Sequence, residues 1–337
     1  MMDQDKPFYI AELSANHNGS LDRALSLVHA AKESGADAIK LQTYTADTMT
    51  LNSDKFRVSA DHPLWGDLNL YKLYEEAMTP WEWHKDIFEY AKKLGIICFS
   101  TPFDISAVDF LEKLDCPIYK IASLETGDVD LISYVASMGK QMIISTGAST
   151  LEEIRMAVKA AEKVINQLTL LVCTSSYPAN ACDAHVRRIA TLKEEFGVNV
   201  GISDHTLGVG VSIAAISLGA TVIERHMTLR RSDGGHDAAF SLEPHEFRLL
   251  VEEGNRARLA LGEPGWSIQD SEKESRRLRR SLYITKSVKR GELANNENIK
   301  ALRPNTGGHI GDLQAIIGKR FNKDYSLGDA ATIDCVE

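Results

Sequence analysis

The chain has 337 residues, 44% hydrophobic and 25% charged, a size that accommodates one large α/β barrel of about 250 residues with a small appendage. Forty-seven acidic against 38 basic side chains leave a formal net charge of -9, so no overall field draws nucleic acid or an anionic membrane. An anionic substrate must instead be met by a local cluster of cations.

Met1 to Pro7 carry no apolar signal region, and no stretch approaches ~18 uninterrupted apolar residues, so neither secretion nor membrane insertion is expected. Cys98, Cys116, Cys173, Cys182 and Cys335 are odd in number and lack metal-ligand spacing. They read as reduced thiols in a cytoplasmic protein.

Short apolar runs rich in Ile and Val alternate with amphipathic segments from the N-terminus onward, the pattern of βα units around a parallel sheet. Strands are predicted over Phe8–Leu13, Ala38–Thr43, Ile96–Thr101, Ile118–Ser123, Gln141–Thr146, Leu168–Thr174, Val198–Ser203 and Thr221–Met227. Between them lie helical patterns such as Leu21–Ser34, Trp81–Leu94, Leu151–Asn166 and Val209–Leu218, several closed by a glycine suited to a helix C-cap. Eight such repeats, with no GxGxxG after the first strand, predict a (β/α)8 TIM barrel rather than a doubly wound sheet. Tyr44–Met78 is too long for a plain βα loop and is expected to form a lid or substrate-binding excursion.

After a helix over Pro244–Leu261, the run Gly262-Glu263-Pro264-Gly265 breaks the chain and a densely charged stretch follows. The reading is a catalytic barrel over residues 1–262, a linker over 263–281 and a small loop-rich domain over 282–337, with strand-like pieces at Leu282–Ile284 and Ala331–Val336. A domain of this size is marginal alone.

Chemistry in such a barrel sits at the C-terminal ends of the strands. Those ends present Glu12; Lys40 and Gln42; Thr101; Lys120 and Ser123; Ser145; Ser175 and Tyr177; Ser203, Asp204 and His205; and Glu224, Arg225 and His226. A lone lysine in a barrel strand could simply pair with Glu12 or Glu224. Two lysines ringed by hydroxyls suit a small molecule bearing carboxylate and phosphate. His205 and His226 end adjacent strands, where neutral imidazoles suit a divalent transition metal. His17 is a weaker ligand candidate, because Asn16-His17-Asn18-Gly19 is also good turn chemistry.

Together these segments resemble the sialic acid synthases. Ile10-Ala11-Glu12 with Asn16-His17-Asn18-Gly19, Lys40-Leu41-Gln42, Ser100-Thr101-Pro102-Phe103, Tyr119-Lys120-Ile121-Ala122-Ser123, Ser145-Thr146-Gly147, Ser203-Asp204-His205-Thr206 and Glu224-Arg225-His226 stand in family order. Leu302-Arg303-Pro304 looks like part of the family's C-terminal antifreeze-like (SAF) domain, so the resemblance covers nearly the whole chain. Leu13–Asn18, Cys173–Ala179 and Phe240–Pro244, with Ser175 in the middle segment, look most like the pseudaminate branch. Gly235-His236-Asp237 and Asn180-Ala181-Cys182 depart from the family pattern.

The resemblance implies condensation of phosphoenolpyruvate with the aldehyde form of an N-acetylated amino sugar, a 2,4-diacetamido-2,4,6-trideoxy hexose in the pseudaminate branch. Glu12, Lys40 and Lys120 would be catalytic. Thr101, Ser123, Ser145, Ser175 and Ser203 would help hold phosphoenolpyruvate, while Gln42, Tyr177 and Asp237 face the sugar. His205 and His226 would hold a divalent metal, Mn2+ first, with Mg2+ or Co2+ as alternatives. A domain-swapped homodimer is implied, with Arg303 of one subunit completing the site of another. The alternatives are a neuraminate or legionaminate synthase, a 3-deoxy sugar acid phosphate synthase, and an inert sugar-binding barrel.

Overall fold

In the computed structural model residues 6–61 and 64–337 are described; Met1 to Asp5, read above for a targeting signal, and two residues of the Tyr44–Met78 excursion lie outside them. The chain divides into two compact units, Met1–Gly262 and Glu263–Glu337. The stretch expected to be a linker, 263–281, therefore groups with the second unit. Its short helix ends at Arg277, whose carbonyl accepts a 2.8 Å hydrogen bond from the amide of Asn305.

The first unit is a closed eight-stranded parallel barrel. Its strands are β1 (Phe8–Glu12), β2 (Ala38–Thr43), β3 (Ile97–Pro102), β4 (Ile118–Ile121), β5 (Gln141–Ser145), β6 (Leu168–Cys173), β7 (Asn199–Ser203) and β8 (Val222–His226). Each lies within a few residues of the sequence expectation. These strands are buried on both faces, so they read as near-continuous apolar runs such as Met142-Ile143-Ile144 and Leu170-Leu171-Val172. The closure β1·β8 is in register from Phe8↔Val222 to Glu12↔His226.

The outer helices are α1 (Leu21–Glu33), α2 (Ala46–Met49), α3 (Leu70–Ala77), α4 (Trp81–Leu94), α5 (Ile105–Glu112), α6 (Val129–Ser137), α7 (Leu151–Ala160), α8 (Arg188–Phe196), α9 (Gly210–Ser217) and α10 (Pro244–Ala260). Their ends obey local rules. A capping box between Thr150 and Glu153 opens α7, and Gly95 and Gly197, in the left-handed region, close α4 and α8. Helix α7 stops six residues before the expected Asn166, because Val164 turns into the core with non-helical angles inside a 3-10 segment. The long excursion after β2 carries α2 and α3, and the Trp65 indole donates to the His236 carbonyl at 3.0 Å across the barrel mouth.

The second unit has its own small core around Leu282, Ile284, Ile299, Ile316 and Phe321. Its two-stranded antiparallel sheet pairs β9 (Ser281–Ile284) with β10 (Ile299–Leu302). The strand expected at Ala331–Val336 is instead a 3-10 turn at Ile333–Cys335, because Thr332 and Cys335 form a capping box that curls the chain. No helix among the described residues is long and apolar enough to cross a membrane. All five cysteines are free, and only Cys182 is exposed.

Candidate active site

Parallel register gathers the chemistry at the C-terminal ends of the strands. Glu12 on β1 is level with Lys40 on β2 and, through the barrel closure, with His226 on β8. Gln42 is level with Thr101 on β3, Cys173 with Ser203, and Ser203 with Glu224. Side chains alternate along a strand, so Glu224 and His226 point inward while Arg225 between them points into the helix layer. There Arg225, fully buried, pairs with Asp204 at 2.7 Å and donates to the Gly208 and Thr206 carbonyls, bracing the turn that carries His205.

Both barrel lysines meet carboxylates. Lys40 is in contact with Glu12, reaches Glu224 at 3.8 Å and donates to Thr101 Oγ1 at 3.2 Å. Lys120 lies 3.5 Å from Glu224, which also accepts from Ser203 at 2.8 Å. Burial pushes the Lys40 ammonium down, but Glu12 and Glu224 outweigh it and hold the pKa above the usual lysine value. Burial dominates for Lys120, whose pKa is lowered despite Glu224. The carboxyls separate in the same way. Burial drives Glu12 up, with Lys40 only partly offsetting it, whereas Lys120 and Lys40 overcome burial at Glu224 and hold it down to about 2. A raised carboxylate is the better proton acceptor, and it is the one beside the solvent-facing Gln42.

Hydroxyls converge opposite the lysines. Ser145 Oγ is buried without a hydrogen-bond partner, and Ser123 Oγ accepts from the Gly147 amide at 3.1 Å. A Cβ on Gly147 would stand 2.8 Å from Ser123 Oγ and closer still to Ser175 Oγ, so only glycine lets these two hydroxyls meet there.

His205 and His226 are in contact, with ring centroids 5.2 Å apart. His205 Nδ1 is 3.0 Å from the Thr174 carbonyl, an arrangement that leaves the Nε2 lone pair available. His226 Nδ1 is buried with no hydrogen-bond partner, and burial pushes its pKa well below the usual histidine value, which keeps the ring neutral. An orphaned nitrogen on a neutral imidazole beside a second oriented imidazole fits a divalent cation. Among the described residues no third His, Cys, Asp or Glu joins them at ligand spacing, so coordination positions would remain for water or substrate. Tyr177, expected to face the sugar, packs tilted against His205 and Phe240, with ring centroids 4.5 and 5.2 Å away, walling this pair. Asp237 Oδ2 stands 4.0 Å from His226 Nδ1 and bonds to Ser14.

Thirteen of the fourteen residues singled out from the sequence belong to the barrel unit, and Arg303 lies exposed in the second. His17 goes elsewhere: its Nδ1 accepts from the Gly19 amide and its ring packs edge-on against Trp83. Two residues escaped the sequence reading. Cys173, read only as one of five reduced thiols, lies 3.9 Å from His205 Nδ1; burial raises its pKa, but His205, Ser123 and Lys120 bring it down to about 7. Glu125, on the turn after β4, buries an unpaired Oε2, and burial pushes its pKa up to about 7. Its place two residues beyond Ser123 was the available signal.

Comparison with known proteins follows the same lines. A family model described as the NeuB family matches residues 27–265. The chain is 44% identical over 326 residues to a pseudaminic acid synthase of Campylobacter jejuni, covering 96% of this chain and 95% of that protein. It is 36% identical to an N,N'-diacetyllegionaminic acid synthase of Legionella pneumophila, covering 98% and 94%. The crystal structure of an N-acetylneuraminic acid synthetase from Leptospira borgpetersenii, in complex with citrate, superposes with a TM-score of 0.72 at 33% identity, covering 80% of this chain and 90% of that one. The chain belongs to the NeuB family.

Proposed function

We propose that this protein is an enzyme that condenses phosphoenolpyruvate with the open-chain aldehyde of a 2,4-diacetamido-2,4,6-trideoxy hexose and water, giving pseudaminic acid and phosphate by C–O cleavage. The observation that carries the chemistry is the buried cluster in which Lys40 meets Glu12 and Glu224, and Lys120 meets Glu224, beside two imidazoles. The branch is supported by near-full-length identity, 44% to a pseudaminic acid synthase against 36% to a legionaminic acid synthase.

Lys40 and Lys120, with Thr101, Ser123, Ser145, Ser175 and Ser203, bind the carboxylate and phosphate of phosphoenolpyruvate. Gln42, Tyr177 and Asp237 face the sugar. His205 and His226 would hold a divalent cation, Mn2+ first, with Mg2+ or Co2+ as alternatives; when bound it supplies Lewis-acid polarisation of the aldehyde oxygen. Carbon C3 of phosphoenolpyruvate forms the new bond to the aldehyde carbon, and positive charge develops at C2. Glu12, its carboxylate made more basic by burial, orients and deprotonates the water that adds at C2. The tetrahedral adduct then expels phosphate, leaving the 2-keto acid.

The rival that takes a phosphorylated aldose needs further cations for a second phosphate. Lys40 and Lys120 are taken up by phosphoenolpyruvate in either reading, and Arg225 is committed to Asp204. The C-terminal unit as an antifreeze-like domain, and a homodimer in which the exposed Arg303 completes a partner's site, belong to the same proposal and are supported by Leu302-Arg303-Pro304.

Phosphate release from phosphoenolpyruvate with Mn2+ and a panel of aldoses tests the reading, with the product followed by mass. Release is expected with the diacetamido sugar and a nine-carbon acid should accumulate. Release only with a phosphorylated aldose, or with none of the sugars, would overturn it.

A further inference from the structure

Ser14 follows β1 with φ at 42°, in the left-handed region that a residue bearing a Cβ seldom occupies. It is also buried. That conformation lets one residue make three connections. Its amide donates to Glu12 Oε1 at 3.1 Å, its hydroxyl accepts from Gln42 Nε2 at 3.0 Å, and the same hydroxyl donates to Asp237 Oδ2. Gln42 Nε2 also donates to Glu12 Oε1 at 3.1 Å, so both protons of that amide are engaged. The Ala15 amide adds a 3.3 Å bond to the same Asp237 oxygen.

The consequence lies in what remains free. With its nitrogen tied to Glu12 and Ser14, Gln42 has its amide oxygen left over, and among the described residues no donor satisfies it. Asp237 uses Oδ2 and likewise keeps Oδ1 without a donor. Two hydrogen-bond acceptors thus stand at the mouth, tied to each other through one hydroxyl. An acceptor pair suits a ligand rich in N–H and O–H groups, and the two acetamido groups of the proposed sugar supply N–H donors that a plain aldose lacks.

We infer that Ser14 is a specificity-determining positioning residue, which locks Gln42 and Asp237 as paired acceptors for the amide and hydroxyl donors of the amino sugar. The inference rests on the amino-sugar reading above. Glycine would take this backbone conformation without steric cost but would supply no hydroxyl, so the strained serine is explained by its side chain. Ser14 need not touch the substrate. It acts through the two residues that do.

The decisive variant is Ser14→Gly, because it relieves the backbone while deleting the hydroxyl. A purely structural role predicts a protein at least as stable as wild type with both KM values unchanged. The inference predicts the same or higher melting temperature, a sugar KM raised by about tenfold, and a phosphoenolpyruvate KM within about twofold of wild type. Ser14→Ala, which keeps the strain, should show the same KM split with lower stability. In a double-mutant cycle Ser14→Gly and Asp237→Asn should be non-additive for sugar KM, since one acts through the other. An unshifted sugar KM in Ser14→Gly, equal rises in both KM values, or additivity would overturn the inference while leaving wild-type synthesis intact. Wild-type phosphate release that needs no amino sugar would overturn the functional reading itself, and the inference with it.

Discussion

Glu12 and Lys40 stand in register on adjacent strands and form a buried ion pair whose lysine also reaches Glu224 at 3.8 Å. Burying an ion pair gains little stability, because desolvation cancels most of the attraction, so such a cluster in a barrel interior calls for another explanation. Two lysines against two glutamates give no net charge, yet the two carboxyls differ: Glu12 is driven up by burial and Glu224 is held down to about 2 by Lys120 and Lys40. Carboxyls whose environments push them apart take different roles, one as proton acceptor and one as fixed counter-charge.

Glu12→Gln keeps the size of the side chain and removes the base. Phosphoenolpyruvate should still bind, measured by calorimetry, while phosphate release falls by ~10²-fold or more. Normal turnover would assign the water to another group. Loss of phosphoenolpyruvate binding would make Glu12 a counter-charge for Lys40 instead.

The imidazole pair makes a second prediction. Removal of divalent cations should abolish phosphate release, and Mn2+, Co2+ or Mg2+ should restore it to different degrees. His205→Ala and His226→Ala should each weaken Mn2+ binding, read by electron paramagnetic resonance, with the melting temperature little changed because both rings line the mouth rather than the apolar core. Full activity in protein shown to be free of metal would refute the assignment.

The eight strands were legible because parallel strands buried on both faces leave unbroken apolar runs, and the polar residue that ends each run marks the mouth. Long-range pairing was less legible. Asp204 and Arg225 both read as mouth residues, but alternation along β8 turns Arg225 outward, where Asp204 meets it. Cys173 sits in an apolar run, and nothing local signals His205, 32 residues further on, beside its sulfur. In the second unit β10 was missed because Ile299-Lys300-Ala301-Leu302 is short and half exposed, and only pairing with β9 makes it a strand. The left-handed Ser14 has no sequence signature of its own.

Gly147 offers a test of the anion pocket that leaves every charge in place. A methyl group there would meet Ser123 Oγ at 2.8 Å and press still harder on Ser175 Oγ, so one hydroxyl or the loop must move. Gly147→Ala should raise the KM for phosphoenolpyruvate by about tenfold or more, with Mn2+ affinity preserved. Unchanged phosphoenolpyruvate kinetics would remove Ser123 and Ser175 from the pocket.

His84 sets a pH dependence of stability. It lies on α4, fully buried, with Nε2 2.8 Å from Thr43 Oγ1 and Nδ1 3.2 Å from the Pro80 carbonyl. Thr43 Oγ1 in turn lies 2.6 Å from Ser100 Oγ, so the ring completes a polar chain between β2 and β3. Burial pushes its pKa down from 6.5 to about 4, against the opposing pull of the Pro80 and Trp81 carbonyls. The unfolded chain therefore binds a proton below 6.5 that the folded protein refuses until about 4. Stability from this residue is complete above 6.5 and is lost as pH falls toward 4, a contribution on the order of 3 kcal/mol across the window. His84→Gln removes the titration while keeping an amide that can reach Thr43. It should be less stable than wild type at about pH 7.5, where it lacks the ring's packing against Phe110, and the gap should narrow by about 2 kcal/mol at about pH 5. Carboxylates titrating in the same range affect both proteins alike, so the difference between their denaturant midpoints isolates the histidine. Equal pH slopes for the two would show that His84 titrates alike in the folded and unfolded states.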